Sequence, residues 1–301
     1  MADETAFTKG HGTENDFVLL PDLDGVLDLP AAAVARIADR RAGIGADGVI
    51  RVVPTAAAQE PAVRAQAGEA RWFMDYRNAD GSLSEMCGNG ARVLAAYLLR
   101  EGLERGDSFA LATRAGPKQV RVEGGGEFAV DLGPWRLADP ERAHAEGFDS
   151  LVHLDGGQGD PFSALSLDLG NPHTVVALPE SVDLGALDLS RAPVVHPLPP
   201  HGTNVEVVRP LGPGHLALRV HERGVGETRS CGTGVCAAAL ATAFWAGADT
   251  TSGQWTVDVP GGRLRVRPLP CDRVELAGPA VLVADGTIHL GALEGPPTLA
   301  D

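Results

Sequence analysis

Two of the four cysteines share a local sequence that suits acid–base chemistry. Cys87 and Cys231 each open a Cys-Gly-x-Gly segment, and each segment leads into a long apolar run with few charges. Runs that are apolar on every side are typical of buried helices. A cysteine at a helix start lies beside unpaired backbone N–H groups and the positive end of the helix dipole, which favours its thiolate. Both cysteines are therefore candidate catalytic residues.

The same helix starts suit the binding of a carboxylate. Free N–H groups bind anions, and small residues let a ligand approach closely. If two such starts faced one carbon from opposite sides, one thiolate could remove an α-proton while one thiol delivered another, and the N–H groups would stabilise the enediolate. Burial beside the first charge would keep the second thiol protonated. The pattern indicates inversion at an amino-acid α-carbon without a cofactor, with carboxylate-binding positions at Gly88, Asn89, Gly232 and Thr233.

Other interpretations explain these segments less well. A buried cysteine is usually a small core residue, and we prefer this interpretation for Cys236, inside the second helix, and Cys271, after a proline. Disulfides are not needed in a chain with an ample core, and the cysteines lack the CxxC spacing of a zinc site, so no metal is expected. Gly232–Ala237 fits the G-x-G-x-x-A dinucleotide pattern, but the polar residues His221–Ser230 do not form the strand that this pattern requires.

Length and charge limit the class of protein. The 301 residues allow two ordinary domains, and the formal net charge of −15 argues against a nucleic acid or an anionic membrane as partner. No apolar run reaches the roughly 20 residues that span a bilayer, and the N-terminus lacks the apolar core of a signal peptide. We therefore expect a cytoplasmic protein that acts on a small molecule.

The chain carries the signs of an internal duplication. The two cysteines lie 231 − 87 = 144 positions apart, and Asn78 and Glu222 each precede their cysteine by nine. This predicts an α/β fold with two similar domains, each with several strands around one buried helix, and a break between residues 133 and 134. Strands are predicted over Phe17–Leu20, Gly48–Val53, Val205–Val208, Leu216–Val220 and Arg263–Arg267.

Seven segments in order carry a family resemblance that runs nearly from end to end. They are Lys9-Gly-His-Gly-Thr-Glu-Asn-Asp-Phe-Val, Gly43-Ile-Gly-Ala-Asp, Asn78-Ala-Asp-Gly-Ser, Met86-Cys-Gly-Asn-Gly-Ala-Arg, Gly170-Asn-Pro-His, Glu222-Arg-Gly-Val-Gly-Glu-Thr and Ser230-Cys-Gly-Thr-Gly. Together they resemble the diaminopimelate epimerases, which interconvert LL- and meso-diaminopimelate in lysine and peptidoglycan synthesis.

The resemblance implies a fold and a set of roles. It implies two pseudo-symmetric α/β domains over residues 1–133 and 134–284, with residues 285–301 completing the first. It implies that Cys87 and Cys231 are the acid/base thiols, that His173 assists their proton balance, and that the protein is a homodimer without a cofactor. The substrate-binding positions that it implies, beside the glycines and polar residues of the helix starts, are Asn15, Asn78, Asn171, Asn204, Glu222 and Arg223.

Simpler interpretations of some of these residues remain open. An asparagine near a strand end, such as Asn204, is often only a turn former, and an exposed Glu-Arg pair is usually solvated. The chain also departs from the family at two points. Gly48 follows Asp47 where some members carry an amide side chain, so a substrate contact is absent or replaced, and the first segment reads Gly-Thr-Glu-Asn rather than the commoner Gly-x-Gly-Asn.

Two other functions would fit part of this sequence. A proline racemase or hydroxyproline epimerase would share the fold and the two cysteines, but it would not need Glu222 and Arg223 for a distal amino acid, and it usually has His at the position of Asn89. A non-catalytic relative acting as a binding protein would be indicated by the loss of either cysteine, and both are present.

Overall fold

The chain divides into two compact units, each considered by itself. The computed structural model describes residues 4–154, 159–248 and 253–293. The first unit comprises residues 1–130 and 279–301, and the second comprises residues 131–278. The observed boundaries lie at 130/131 and 278/279, whereas those predicted from the sequence lie at 133/134 and 284/285. The part of the predicted completing segment over residues 294–301 lies outside the described residues.

The first unit is built from strands and three helices. Its strands are β1 (Glu4–Gly12), β2 (Asn15–Pro21), β3 (Gly48–Pro54), β4 (Trp72–Asn78), β5 (Ser108–Ala112), β6 (Lys118–Gly124), β7 (Glu127–Pro134, which runs past the boundary) and, late in the chain, β19 (Val281–His289). Its helices are α1 (Ala31–Ala38), α2 (Pro61–Arg64) and α3 (Gly88–Arg100), with short 3₁₀ turns at Thr55–Ala57, Ala65–Gly68 and Leu290–Leu293.

The second unit has a similar set of elements. Its strands are β8 (Arg136–Leu137), β9 (Ser150–His153), β10 (Phe162–Asp168), β11 (Pro172–Ala177), β12 (Val194–His196), β13 (Asn204–Gly212), β14 (His215–Glu222), β15 (Gly226–Thr228), β16 (Trp255–Val259), β17 (Gly262–Leu269) and β18 (Arg273–Pro279). Its helices are α4 (Pro140–Glu146) and α5 (Gly232–Trp245), with a 3₁₀ turn at Leu184–Ala186.

The strand pairings repeat from one unit to the other. In the first unit β1 and β2 are antiparallel, β2 and β3 parallel, β3 and β4 antiparallel, β4 and β5 parallel, and β5 to β7 antiparallel. Strands β10, β11, β13, β14, β16, β17 and β18 repeat this alternation of directions in the same order. The predicted α/β fold of two pseudo-symmetric halves is confirmed.

One helix lies inside each set of strands. Helix α3 contacts β1, β2, β3, β4, β6 and β19, and α5 contacts β10, β11, β13, β14, β16 and β17. Both helices are buried along most of their length because their sequences are apolar or small on every face. They end before Gly102 and Gly247, whose positive φ angles of 67° and 60° are typical of helix C-termini. No helix among the described residues is long and apolar enough to cross a membrane.

The turn between β1 and β2 keeps a demanding geometry without glycine. Thr13 and Glu14 have φ angles of 52° and 63°, as both central residues of a type I′ hairpin turn do. The left-handed conformation costs a residue with a Cβ roughly 1–2 kcal/mol. The unusual Gly-Thr-Glu-Asn sequence therefore stores strain directly before Asn15.

Replacing Glu14, an exposed residue, by glycine is expected to stabilise the first unit. Relief of the left-handed strain exceeds the added entropy of the unfolded chain, so the free energy of unfolding should rise by about 0.5–1 kcal/mol. Urea denaturation measures this change. Glu69→Gly is the matched control, because exposed Glu69 has a φ of −108° and glycine there should destabilise. Equal effects of the two substitutions would contradict the strain argument.

Candidate active site

The first cysteine site is built at the start of α3. Cys87 is the N-cap residue of this helix, and its Sγ accepts a hydrogen bond from the Gly90 backbone N–H at 3.5 Å. The thiol also lies 3.7 Å from Oδ1 of Asn15, the first residue of β2. Cys87 is partly exposed, so a ligand can reach its sulfur. The structure thus brings together two residues that the sequence singled out 72 positions apart.

A chain of hydrogen bonds fixes Asn15 beside this thiol. The Nδ2 group of Asn89 donates to Asn15 Oδ1 at 3.1 Å, and Asn15 Nδ2 donates to Asp47 Oδ2 at 2.8 Å. Arg92, which is completely buried, donates from Nη2 to Asn89 Oδ1 at 2.8 Å. Sequence reasoning assigned no role to Arg92 or Asp47. An arginine within an otherwise apolar helix was the available signal for Arg92.

Asn78 lies at the end of β4, outside the hydrogen-bond chain that holds Asn15. Its half-buried side chain donates from Nδ2 to Ser82 Oγ at 2.9 Å, and its backbone pairs with Gly48 across the sheet. A Cβ atom at Gly48 would lie 2.4 Å from Cε2 of Tyr76. The Tyr76 ring therefore occupies the space that a side chain at position 48 would need, which explains the glycine there.

The second cysteine site repeats the plan at the start of α5. Cys231 is the N-cap residue of this helix, is 7 % exposed, and has its Sγ 3.7 Å from Thr233 Oγ1. Burial raises the pKa of this thiol well above its ordinary value, and the negative charges of Glu222 and Glu206 raise it further. A helix start favours a thiolate, and the sequence predicted that one of the two thiols stays protonated without showing which. Burial and the two carboxylates outweigh the dipole, so Cys231 is a protonated thiol.

His173 and Asn171 continue the second site away from the cysteine. Asn171 Nδ2 donates to Thr233 Oγ1 at 3.3 Å, and its Oδ1 lies 3.0 Å from His173 Nε2. The other ring nitrogen of His173, Nδ1, lies 2.7 Å from Glu206 Oε1. Both His173 and Glu206 are completely buried. Sequence reasoning missed Glu206, because nothing in its local sequence distinguishes it from other strand residues.

The Glu222-Arg223 pair is held by Asn204 rather than left as a free surface turn. The Arg223 backbone N–H donates to Asn204 Oδ1 at 2.9 Å, and Asn204 Nδ2 donates to the Pro172 carbonyl at 3.3 Å. Arg223 is exposed, and its Nη1 donates to the His201 carbonyl at 2.5 Å. Both polar atoms of the Asn204 side chain thus contact backbone groups, and Oδ1 anchors the turn that follows β14.

Glu222 sits in an environment that favours a positively charged ligand. Burial raises the pKa of its carboxyl group, and the nearby charge of Glu206 adds to this effect, against a hydrogen bond donated by Thr228 Oγ1. An ammonium group beside Glu222 would supply the positive charge that a buried carboxylate needs.

The second unit has a cavity of about 1190 Å³. Asn171, His173 and Arg223 are among its lining residues, together with Thr203. It is somewhat larger than the pockets of about 300–1,000 Å³ that commonly hold small organic ligands, so it has room for one. In residues 4–154, 159–248 and 253–293, no three His, Cys, Asp or Glu side chains are grouped as metal ligands would be.

Solved structures of other proteins share this fold. A hydroxyproline epimerase from Agrobacterium vitis matches with a TM-score of 0.65 at 14% identity, over 95% of this chain and 92% of that one. A Bacillus anthracis phenazine biosynthesis protein of the PhzF family matches with a TM-score of 0.64 at 16% identity, over 96% and 99%. At these identities the likeness assigns the fold alone.

Sequence comparison identifies the family. The family model described as diaminopimelate epimerase matches residues 7–138 and 165–283. The diaminopimelate epimerase of Streptomyces coelicolor is 47% identical, over 98% of this chain and 99% of that protein. The diaminopimelate epimerase of Thermobifida fusca is 50% identical, over 95% and 99%. The chain belongs to the diaminopimelate epimerase family, as its motifs predicted.

Proposed function

We propose that this protein interconverts LL-2,6-diaminopimelate and meso-diaminopimelate by proton transfer at one α-carbon, without PLP. Membership of the family supports the substrate and the reaction. The observation that carries the mechanism is the repeated placement of a cysteine at the N-cap of a buried helix, once in each unit. A reaction that inverts one carbon needs one proton acceptor and one proton donor, and this arrangement supplies two equivalent groups.

The two thiols are proposed to begin the reaction in different protonation states. The raised pKa of Cys231 makes it the proton donor of the resting enzyme. Inversion then needs Cys87 as the base that removes the α-proton. In the reverse direction the roles exchange. The N–H groups at the starts of α3 and α5 bind the α-carboxylate and stabilise the enediolate, since negative charge grows there in the transition state.

The polar residues around the cysteines are proposed to recognise the rest of the substrate. Arg223 is exposed and lines the cavity, so its guanidinium can exchange its bond to the His201 carbonyl for a bidentate contact with the distal carboxylate. Glu222 binds the distal ammonium, which supplies the positive charge that its burial calls for. The amides that read the stereocentres are those of Asn15, Asn78, Asn171 and Asn204, which can donate and accept hydrogen bonds.

The setting of the reaction is proposed from the family resemblance. The resemblance supports a product that feeds lysine and peptidoglycan synthesis, a cytoplasmic location, and a homodimer that acts on a small molecule. The acidic surface, with a net charge of −15, supports the absence of a nucleic-acid partner.

Incubation of the reduced protein with LL-diaminopimelate in D₂O, without added cofactor, tests this function. NMR should show meso product with deuterium at one α-carbon, because the donated proton comes from a thiol that exchanges with solvent. Proline and hydroxyproline serve as control substrates and should not exchange. Exchange with either of them, and none with diaminopimelate, would move the protein to the proline racemase class. Absence of exchange with any of the three would favour a non-catalytic relative.

A further inference from the structure

Glu206 is a buried carboxylate that has no role in the proposed reaction as described so far. It lies on β13 with no exposed surface, and its Oε1 contacts His173 Nδ1 at 2.7 Å. Among the described residues, its Oε2 has no hydrogen-bond partner. A Cβ atom at Gly234 would lie 2.5 Å from Glu206 Oε1, so the carboxylate presses directly against the first turn of α5. The negative charge of Glu206 thus lies against Gly234, which follows Cys231 by three residues in the sequence.

The internal duplication shows what the fold itself requires at this point. The strand register pairs His173 with Asn204 in the second unit and Phe17 with Gly48 in the first. Glu206 lies two residues after Asn204 on β13, and Ile50 lies two residues after Gly48 on β3. Glu206 is therefore the counterpart of Ile50. The first unit therefore holds an apolar Phe17–Ile50 pair where the second holds His173–Glu206. Gly90, the counterpart of Gly234, likewise faces Ile50 and Phe17.

An apolar pair would thus satisfy the packing at this position. Burying an ionisable pair loses solvation, and replacing such a pair by well-packed apolar residues is often neutral or stabilising. The completely buried His173–Glu206 pair is therefore not needed to hold the helix against the strands, so a role in the chemistry of the second site explains it better.

A continuous chain of contacts links this pair to the sulfur. Glu206 contacts His173, His173 contacts Asn171, Asn171 donates to Thr233, and Thr233 Oγ1 lies 3.7 Å from Cys231 Sγ. We propose that Glu206 is a positioning residue for Cys231: its carboxylate fixes His173 and, through Asn171 and Thr233, the thiol, and its negative charge keeps the proton on the sulfur. The role of Glu206 in catalysis rests on the proposed function. The effect of Glu206 on the Cys231 thiol does not depend on that function.

Several charged groups act on this sulfur together. Glu222 on β14 and Glu206 on β13 both raise the pKa of the Cys231 thiol, after the larger effect of burial. His173 on β11 lies between Glu206 and Asn171, and it offsets a small part of the rise in the pKa of Glu222. Glu222 is assigned to the substrate. Glu206 has no exposed surface, so it can act on the Cys231 thiol only through the protein interior.

Two variants test the proposal. Glu206→Gln removes the charge and keeps the shape, and the double variant His173→Phe with Glu206→Ile imports the apolar pair of the first unit. We expect the double variant to fold with an unchanged Tm and both variants to lose about 10²-fold in kcat, within the range that positioned acid–base groups contribute. Asp258→Asn, on the surface of the same unit and paired with Arg263, is the control and should keep full activity.

The readout that separates positioning from packing is the pH dependence of Cys231 alkylation by iodoacetamide, mapped by mass spectrometry. In both variants the rise in alkylation rate should move to lower pH, because a like charge no longer opposes the thiolate. An unchanged alkylation profile in folded Glu206→Gln would overturn the proposal, whatever the activity. If the double variant does not fold, Glu206→Gln alone decides. If wild type does not epimerise diaminopimelate, the proposed function fails while the alkylation profile still decides this inference.

Discussion

Replacement of either Cys87 or Cys231 by alanine is expected to lower kcat for epimerisation by on the order of 10⁴-fold, the upper range for loss of a positioned acid or base. Each thiol is the N-cap of its own helix, and no second thiol takes its place: Cys236 is buried inside α5 and Cys271 is exposed in a turn. Conversion of LL- to meso-diaminopimelate followed by circular dichroism or NMR measures the effect. The loss should fall on kcat, with only a small change in Tm, because each helix stays packed among its strands and loses only its N-cap side chain.

Deuterium exchange in the two alanine variants is a second test of the roles of the thiols. The thiol that remains can still exchange an α-proton on its own face, so each variant should show slow deuterium exchange without inversion. Cys271→Ala, an exposed thiol outside both sites, should behave as wild type. Full epimerisation by either Cys87→Ala or Cys231→Ala would contradict the two-thiol mechanism.

Replacement of Asp75 by asparagine is expected to destabilise the first unit by about 3–5 kcal/mol, as loss of one partner in a buried ion pair does. Asp75 is 1 % exposed and accepts from Arg51 Nε at 2.8 Å and from Arg114 Nη2 at 2.5 Å, with Arg77 Nη2 at 3.2 Å. Asparagine keeps the shape but leaves buried positive charge with less compensation. Hydrogen exchange of peptides from β3 and β4 during urea titration reports the stability of this unit.

The pH dependence of this effect has a definite sign. Burial raises the pKa of Asp75, but hydrogen bonds and charges from Arg114 and Arg77 outweigh it, so the pKa lies below its ordinary value of 3.8. A carboxyl group with a lowered folded-state pKa stabilises the protein above its unfolded-state pKa, and the contribution disappears as the pH falls through the folded-state pKa. The difference between wild type and Asp75→Asn should therefore be full at pH 7 and shrink below about pH 4.

A surface carboxylate provides the control for Asp75. Asp258 is paired with Arg263 at a partly exposed site of the second unit, and such pairs contribute about 0–1 kcal/mol. Asp258→Asn should therefore change the stability little. A loss below 1 kcal/mol in Asp75→Asn at pH 7 would show that the buried arginines are solvated or paired elsewhere when the carboxylate is removed.

The sequence by itself determined the parts of this protein that depend on local pattern. The two buried helices, their cysteine starts and their glycine ends follow from apolar runs, the Cys-Gly-x-Gly segments and Gly102 and Gly247, because capping and helix burial are read within a few residues. The duplication was also visible in the sequence, since Asn78 and Glu222 precede Cys87 and Cys231 by the same number of residues. The family followed from the motifs, and comparison with relatives confirmed it.

The surroundings of the thiols were decided only by the tertiary structure. Glu206 and Arg92 carry no local signal of their roles, since each acts through strand register or helix packing with residues far away in the chain. The Cys-Gly-x-Gly motif also does not determine which of the two thiols is protonated. A helix start favours a thiolate, but desolvation and two carboxylates supplied by other strands reverse that preference. Electrostatic energies depend on distance and burial in space, so they exist only once the strands have been brought around the helix.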